Sequence, residues 1–339
     1  MNEDKDAQLK MLLFLSLLIF CVPSGGDTSP ITCYNDKGDA VDWFYLYKLP
    51  KEHDKKSPHK GEMYLLLDKG SEGWTNGKGT VNDTTGALGR TVGQLYSQGE
   101  NTEVAYILYN DQKPSEDLGF VLLDKNQGFW LVHSTPHFPP VRQAGSFSYP
   151  PSGVNNGQNF ICVTYPLERF QTSLQINQPN VYDCDVPESL ASLVPALADL
   201  CAKKHPSVHI FPHIKPVSNR SVTLTSKAGT NFISFAKGAS FDNGILPSDC
   251  SLGWKVLDIK LINPGQTFIF KTSQDHSKWA VSTTAGGAGS GGGWVCVGDI
   301  NRNQAEEKRG GGTVCLQDPV VWKAYRTAAL QCQGCGGAT

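Results

Sequence analysis

Two residues with complementary chemistry stand two positions apart in the stretch Asp275-His-Ser-Lys-Trp279. On a β-strand, residues i and i+2 point to the same face, so the side chains of His276 and Lys278 would lie next to each other. The lysine ammonium can hold a phosphate, while the imidazole can attack phosphorus or donate a proton. This pair is half of a site for phosphate ester chemistry, and the chain must supply the other half.

Short strand-like segments dominate the chain and would have to position this pair. They are rich in β-branched and aromatic residues and are bounded by Gly, Asp, Asn or Pro. The segments are VDWFYLYKL, MYLLL, EVAYILYN, GFVLLD, GFWLVHS, NFICVTYP, SVTLTS, QTFIF, KWAVS and WVCVGDI. The glycine-rich run at 285–293 joins the last two, and we interpret it as a long hairpin loop, because no Lys-Ser/Thr follows it as in a phosphate-binding loop.

Three segments carry helical patterns. Apolar residues of 187–204 repeat with helical spacing, which predicts one continuous helix there, and RTVGQLYS and QDPVVWKAYRTAAL predict two more. Strands mixed with helices predict an α/β or mixed α+β sandwich. Cys184 and Cys201 flank the 187–204 helix, which would hold them roughly 20 Å or more apart at about 1.5 Å per residue, so we do not expect them to pair. The sequence does not identify the disulfide partner of either cysteine.

The two halves of the chain echo each other. His276 and Lys278 precede one strand of a hairpin, and Glu116-Asp-Leu118 precedes a second strand–turn–strand segment that ends at His133. In both hairpins an aromatic residue opens the return strand. We therefore expect one domain over 26–339 made of two pseudo-repeats, about 26–180 and 181–339. Glu116 and His276 would occupy equivalent positions facing one cleft.

Several longer stretches together resemble the deoxyribonuclease II family. They are ITCYNDKGDAVDWFYLYKLP, LYNDQ, GFWLVHSTPHFPP, LTSKAG, GILPSDC, DHSKWAVS and VCVGDINRNQAEEKRGGGTVC. The resemblance covers nearly all of the chain after the first 25 residues. It implies a phospholipase-D-like, pseudo-two-fold sandwich of two β-sheets with flanking helices. It also implies DNA cleavage at acidic pH without a metal or other cofactor, through two His-x-Lys pairs, leaving 3′-phosphates. One histidine would form a phosphohistidine, and the other would protonate the leaving oxygen.

The chain departs from this family at its first pair. Glu116-Asp117-Leu118 stands where the family carries His-x-Lys. A carboxylate about 4 Å from a phosphate is repelled by roughly 1 to 4 kcal/mol, and a leucine cannot hold an anion. Loss of an acid–base or nucleophilic partner costs orders of magnitude in rate. The segment between SFAK and GILPS, near 237–244, is also shorter than is usual in the family. The chain thus resembles the secreted, site-degenerate DNase II-like glycoproteins of trichinellid nematodes.

Other polar residues are weaker candidates. His133 matches a histidine position that is important for activity in the family, so it or the nearby loop residue His137 could stand in for the lost group. Asn301 and Asn303 alternate onto one face, where they either line the cleft or simply end a strand. Three further histidines recur every four residues, but Pro206 and Pro212 argue against a helix there, and we expect no metal site: His205, His209 and His213.

The N-terminal segment indicates secretion. Residues 11–22 form an apolar run of about a dozen residues, too short to cross a bilayer, and small residues follow it. We expect a signal peptide over 1–25, with Met11 as a candidate for the true start because the preceding ten residues are acidic. Two Asn-x-Ser/Thr sequons, at Asn82 and Asn219, predict glycosylation. We expect a secreted, extracellular protein, with a lysosomal location as the alternative and no other membrane segment.

The cysteines suggest a disulfide framework. Ten cysteines become nine once the leader removes Cys21, so one must be left over. A lone CxxC near the C-terminus lacks the second ligand pair that zinc would need. The resemblance implies two bonds, and the tail leaves two candidates for a third: Cys33–Cys162, Cys296–Cys315, and Cys250 with either Cys332 or Cys335.

The charge balance constrains the partners. The formal charge is −2 at pH 7, whereas a constitutive nucleic-acid binder usually has a basic excess. Protonation of all eight histidines would move the charge from −2 to +6, so an acidic compartment would change that balance. We expect an impaired enzyme that binds DNA or an extracellular protein or matrix ligand, and a homodimer stays open. The alternatives are a working acid endonuclease and an immune-facing surface protein.

Overall fold

The computed structural model describes most of the chain after residue 28. The described residues are 29–52, 56, 58, 60–112, 116–172, 180–202, 219–238, 248–250, 255–285, 292–299, 301 and 310–335. Among them, no helix is long and apolar enough to cross a membrane. Several predictions fall outside the described residues: those on His205, His209, His213 and Asn303, and on the part of the shortened segment that follows Gly238.

An eight-stranded sheet forms the body of the fold. Its strands are β3 (Trp43–Lys48), β4 (Tyr64–Asp68), β5 (Thr75–Asn76), β6 (Ala105–Gln112), β7 (Glu116–Leu123), β8 (Gln127–His133), β9 (Gln158–Pro166) and β10 (Asn180–Asp185). They lie in the order β10-β6-β7-β8-β9-β3-β4-β5, and all neighbouring strands are antiparallel. A short ribbon of β1 (Cys33–Tyr34) and β2 (Ala40–Val41) precedes them.

Two smaller sheets come from the second half of the chain. Their strands are β11 (Asn219–Thr225), β12 (Asn231–Lys237), β13 (Ile259–Ile262), β14 (Phe270–Lys271), β15 (Trp279–Val281), β16 (Trp294–Gly298), β17 (Gly311–Gln317) and β18 (Ala329–Cys332). A five-stranded sheet has the order β11-β12-β17-β16-β15, and a three-stranded sheet has the order β14-β13-β18. The helices are α1 (Ala87–Gln98), α2 (Leu167–Thr172), α3 (Glu188–Ala191), α4 (Pro195–Ala202) and α5 (Pro319–Ala328).

The main core lies between the eight-stranded and five-stranded sheets. Alternate residues of β3, such as Tyr45 and Tyr47, pack in one apolar cluster with Phe232 of β12 and Val297 of β16. The remaining β3 residues face the other way, so the strand is buried along its whole length. This two-sided burial explains why the sequence there is almost continuously apolar instead of alternating with polar residues.

Helix α1 covers the outer face of the eight-stranded sheet. Leu88, Val92 and Leu95 recur at helical spacing and are buried in one cluster with outer-face side chains of that sheet, including Phe44 and Leu46. At the start of the helix, the Asp36 carboxylate accepts the amide of Ala87 at 2.7 Å and so satisfies one of the free backbone donors.

The mixed α+β class expected from the sequence is confirmed, with several antiparallel sheets and few helices. The order of elements also repeats: β7, β8 and β9 lead to α2, and β15, β16 and β17 lead to α5. The predicted β15–β16 hairpin is formed, with Ala280 opposite Cys296. The predicted helices at RTVGQLYS and QDPVVWKAYRTAAL correspond to α1 and α5. The division into pseudo-repeats near residue 180 stays a prediction.

The prediction of one helix over 187–204 is wrong. The chain turns between α3 and α4, and Pro195 begins the second helix. The break returns the chain toward β10, so Cys184 and Cys201 form a disulfide with a Cα–Cα distance of 5.8 Å. Our expectation that these cysteines do not pair is therefore also wrong, because it assumed a straight helix between them.

The other expected disulfides are present. Cys33 is bonded to Cys162, and Cys296 to Cys315. For the third bond the structure selects Cys335 as the partner of Cys250. Cys332 is then the free, exposed cysteine among the described residues.

The unexpected disulfide gives a stability prediction. Replacing Cys184 and Cys201 together by alanine should lower the free energy of unfolding by about 3 kcal/mol, because the bond closes a short loop and restricts the unfolded chain. Urea denaturation at equilibrium measures this. Cys332→Ala is the matched control and should change the stability by less than about 0.5 kcal/mol. Equal stability of the double variant and the parent would contradict the prediction.

Candidate active site

The segment that carries His276 and Lys278 lies just before β15, at the edge of the five-stranded sheet. It is held in register by the loop that leads into β9. The amide of His276 donates to the carbonyl of Gly157 at 2.8 Å, and the amide of Gly157 donates to the carbonyl of Gln274 at 2.8 Å. A Cβ atom at position 157 would overlap the carboxylate of Asp275, so this close approach requires glycine.

Asp275 and Ser277 bind to a buried tyrosine of the other sheet. The hydroxyl of Tyr47, on β3, donates to Asp275 Oδ2 at 2.7 Å and lies 2.9 Å from the hydroxyl of Ser277. Ser277 Oγ also donates to Asp275 Oδ2 at 2.5 Å. Burial raises the pKa of the Asp275 carboxyl above its ordinary value, and these hydrogen bonds offset part of that effect. Residues 275 and 277 are therefore anchored on one side of the segment, and residues 276 and 278 alternate with them.

Lys278 is positioned by Asn159, which stands directly opposite Tyr47 on the neighbouring strand. The amide of Lys278 donates to Asn159 Oδ1 at 3.2 Å, and Asn159 Nδ2 donates back to the Lys278 carbonyl at 3.2 Å. The Lys278 carbonyl also accepts the amide of Gly298 at 2.8 Å. The Lys278 ammonium donates to the His276 carbonyl at 2.9 Å. The Lys278 ammonium therefore lies beside the backbone of His276, the residue with which the sequence analysis paired it.

A second lysine, Lys48, stabilises the loop that binds the segment 275–278. Lys48, the last residue of β3, is fully buried and donates to the carbonyls of Val154 and Asn156. These carbonyls belong to the loop that presents Gly157. Burial lowers the pKa of the Lys48 ammonium to about 7, and the negative charge of Asp275 partly offsets that effect. Lys48 therefore fixes the loop that in turn fixes His276.

His133 ends β8 and is fully buried. Its ring packs against Phe138 and Phe160, with centroid distances of 5.3 and 5.6 Å. The amide of Thr135 donates to its Nδ1 at 3.3 Å, which places the imidazole proton on Nε2. That Nε2 atom is buried and has no hydrogen-bond partner in the described part of the chain. Burial lowers the pKa of His133 to about 3, and the charge of Lys278 contributes in the same direction.

The structure gives less detail for the expected first pair and for the two asparagines. Glu116, Asp117 and Leu118 open β7, and the backbone of Glu116 pairs with Gln112. Their side chains are not among those described, so the expectation that Glu116 and His276 face one cleft stays a prediction. Asn301 is exposed beyond β16, while Asn303 lies outside the described residues.

His137 lies in the loop after β8, as expected from the sequence, and its side chain is exposed. Within the residues that the structure describes, no cluster of His, Cys, Asp or Glu side chains is arranged to hold a metal ion.

The sequence reasoning missed the residues that hold the segment in place. Tyr47, Lys48 and Asn159 received no role, although one signal was available. Lys48 ends an otherwise apolar strand that is buried on both faces, and a lysine in such a place is rarely tolerated without a specific partner.

A family model and individual known proteins point to the same family. Residues 32–245 and 242–335 match the family model described as Deoxyribonuclease II. Deoxyribonuclease-2-alpha of Mus musculus is 36% identical over 369 residues, which cover 97% of this chain and 99% of the relative. Deoxyribonuclease-2-alpha of Sus scrofa is 38% identical, covering 97% and 96%. Deoxyribonuclease-2-beta of Homo sapiens is 34% identical, covering 90% and 92%.

The state of His133 can be tested by titration. Its imidazole should stay neutral from about pH 8 down to about 4.5, whereas an unperturbed histidine titrates near 6.5. The native state then binds fewer protons than the unfolded state between about pH 6.5 and 3, so the His133 contribution to stability falls as the pH drops through that window. NMR of the imidazole resonances measures the pKa, with His133→Gln assigning the signal and His137→Gln as the exposed control. Titration of His133 near pH 6.5 would contradict the burial argument.

Proposed function

Because the chain belongs to the deoxyribonuclease II family, we propose that it binds DNA beside His276 and Lys278 but cleaves it poorly. Family membership implies DNA as the substrate class. The observation that carries the proposal is the contrast between the two halves. The segment with His276 and Lys278 is anchored by Tyr47 and Asn159, whereas Glu116-Asp117-Leu118 opens β7 where the family's first pair is expected.

The retained half can hold a phosphate but lacks a chemical partner. Lys278 supplies a cation, and His276 supplies one imidazole. The two-histidine mechanism needs a neutral imidazole that attacks phosphorus and a protonated one that donates to the leaving oxygen. With Glu116 and Leu118 in the first pair, the second imidazole and the second cation are missing. A glutamate carboxylate near the phosphate would also oppose the build-up of negative charge.

DNA binding should strengthen in acid. The formal charge is −2 with all eight histidines neutral. Burial lowers the pKa of His133 to about 3, so this imidazole stays neutral in mild acid, and protonation of the other seven histidines would move the formal charge from −2 to at most +5. A more positive protein binds the DNA backbone more tightly. The comparisons favour DNA over an extracellular protein or matrix ligand, and none of them supports a homodimer.

An active acid endonuclease that leaves 3′-phosphate ends is the second candidate. The observation in its favour is His133, whose buried Nε2 has no hydrogen-bond partner in the described part of the chain and whose pKa is lowered in part by the charge of Lys278. His133 is a poor proton donor near pH 5, because its imidazole is already neutral there and its pKa lies well below that pH. It is also fully buried, so it is a weak replacement for the lost histidine.

A nicking assay separates the two candidates. Supercoiled plasmid should be nicked at least about a hundredfold more slowly by this protein than by a family member with both His-x-Lys pairs, across about pH 4 to 7.5 in EDTA. Binding of a fluorescent duplex, followed by anisotropy at the same pH values, should remain measurable. Robust nicking that is abolished by His276→Ala would instead establish the protein as an active enzyme.

Restoring the first pair should recover activity. Glu116→His combined with Leu118→Lys adds the missing imidazole and cation, so nicking should rise and be fastest near about pH 5, where one histidine can be neutral while the other is protonated. Glu116→His alone should recover less, because the phosphate would still lack its second cation. Adding His276→Ala to the double variant is the control and should remove the gain. Failure of the rescue with DNA binding intact would point to the shortened segment near 237–244 as a second lesion.

We also propose that the protein is secreted as a glycoprotein, with a lysosomal location as the alternative. The leader and the two sequons support this, and Asn82 is exposed on the surface. Expression of the full sequence in a eukaryotic secretory host should release a protein whose gel mobility increases after enzymatic deglycosylation. Asn82→Gln and Asn219→Gln should each remove part of that shift. Retention of an unglycosylated protein inside the cell would contradict the proposal.

A further inference from the structure

A cavity of about 200 Å³ opens between the inner faces of the two larger sheets. From the eight-stranded sheet it is lined by Tyr109, Trp130 and Val132. Val132 precedes His133 at the end of β8, so the cavity lies at the end of the sandwich that carries the buried histidine. On the other side it is lined by β11, β12 and β17 and by Asp299.

The cavity exists because side chains become small at this end of the five-stranded sheet. Along the inner side of β12, the buried Phe232 is followed two and four residues later by Ser234 and Ala236. Gly312 lies opposite Ala236 on β17. A Cβ atom at Gly312 would lie 2.6 Å from the carbonyl oxygen of Phe235, so position 312 requires glycine and leaves this part of the cavity wall without a side chain.

The opposite wall is aromatic and rigid. Trp130 Nε1 donates to the hydroxyl oxygen of Tyr109 at 2.7 Å, which fixes both rings. The Tyr109 hydroxyl lies where a Cβ atom of residue 119 would be, so Gly119 provides the room for this pair. Fixed aromatic side chains are the usual surfaces on which proteins hold single nucleobases.

The polar part of the cavity includes two charged side chains, Asp299 and Arg220, and Arg220 stands opposite Ala236. Asp299 is 8% exposed, and its Oδ1 accepts the amide of Gly312 at 2.7 Å. It follows Gly298, which bonds to the Lys278 carbonyl. Asp299 and Tyr109 line the same cavity. Burial raises the pKa of the Tyr109 hydroxyl far above its ordinary value, and the charge of Asp299 contributes in the same direction. A carboxylate repels phosphate but accepts hydrogen bonds from the N–H groups of a base.

We propose that this cavity takes one nucleobase of a DNA strand whose phosphate lies at Lys278, and that it prefers guanine to thymine. The proposal rests on the proposed DNA binding. A cavity of about 150 Å³ is enough to bind benzene, so this one has room for a single heterocycle. Guanine presents two neighbouring N–H donors to the Asp299 carboxylate, whereas thymine presents one. The base would leave the helical stack, as in other proteins that bind an extruded nucleotide.

The test uses two small probes with the same phosphates. Calorimetry on the whole protein at about pH 5 in EDTA measures the affinity for each probe. Deoxyguanosine 3′,5′-bisphosphate should bind about tenfold more tightly than the corresponding abasic deoxyribose bisphosphate. Ala236→Leu fills the cavity and should remove this difference while leaving the affinity for the abasic probe unchanged. Thr223→Leu, at an exposed position of β11 outside the cavity lining, is the matched control.

A second variant keeps the test independent of cavity filling. Asp299→Asn retains an oxygen for the amide of Gly312 but removes the charge, so the preference for the guanine over the thymine bisphosphate should fall. Equal binding of the guanine and abasic probes by the unmodified protein would overturn the base site while leaving DNA binding intact. An unchanged guanine preference in Asp299→Asn would overturn the role of the carboxylate. Absence of binding by every probe and by duplex DNA would overturn the proposed function and the base site together.

Discussion

The contact of Tyr47 and Asn159 with the segment 275–278 is the constraint on which the site depends. These two residues stand opposite each other on β3 and β9, in the interior of the eight-stranded sheet. One binds Asp275 and Ser277, and the other binds both backbone polar groups of Lys278. Because β3 and β9 are buried, their side chains have little conformational freedom. The hydrogen bonds to Tyr47 and Asn159 therefore restrict the conformation of the segment 275–278 as well.

The same end of the sandwich concentrates polar groups that a folded protein usually keeps in water. Lys48, His133 and Asp275 have pKa values moved toward their neutral forms by burial. Hydrogen bonds satisfy most of these groups, and one atom, Nε2 of His133, has no partner among the described residues. Burying such groups costs free energy, and the hydrogen bonds described above offset part of that cost.

The contacts also give the segment that carries His276 and Lys278 a structural role of its own. The segment 275–278 is held mainly by the main chain and by the side chains of Asp275 and Ser277. Its shape is therefore part of the packing between the sheets, and its loss would leave buried groups such as Tyr47 without partners. The first residues of β7 pair through their backbone with β6, and the pairing with β8 begins at Gly119. The presence of His276 and Lys278 is therefore not by itself evidence of catalysis.

The sequence by itself determined the class of fold, most strands, the helices α1 and α5, and three of the described disulfides up to the choice between Cys332 and Cys335. Those features follow from local periodicity or from motifs that resemble a known family. Only the tertiary structure decided the break before Pro195 that brings Cys184 to Cys201, because the end of a helix inside an apolar repeat depends on what it packs against. It also decided the roles of Tyr47, Lys48 and Asn159, since each acts on a segment far away in the chain. Spacing along a sequence carries no information about such contacts; the pairing of the sheets creates them.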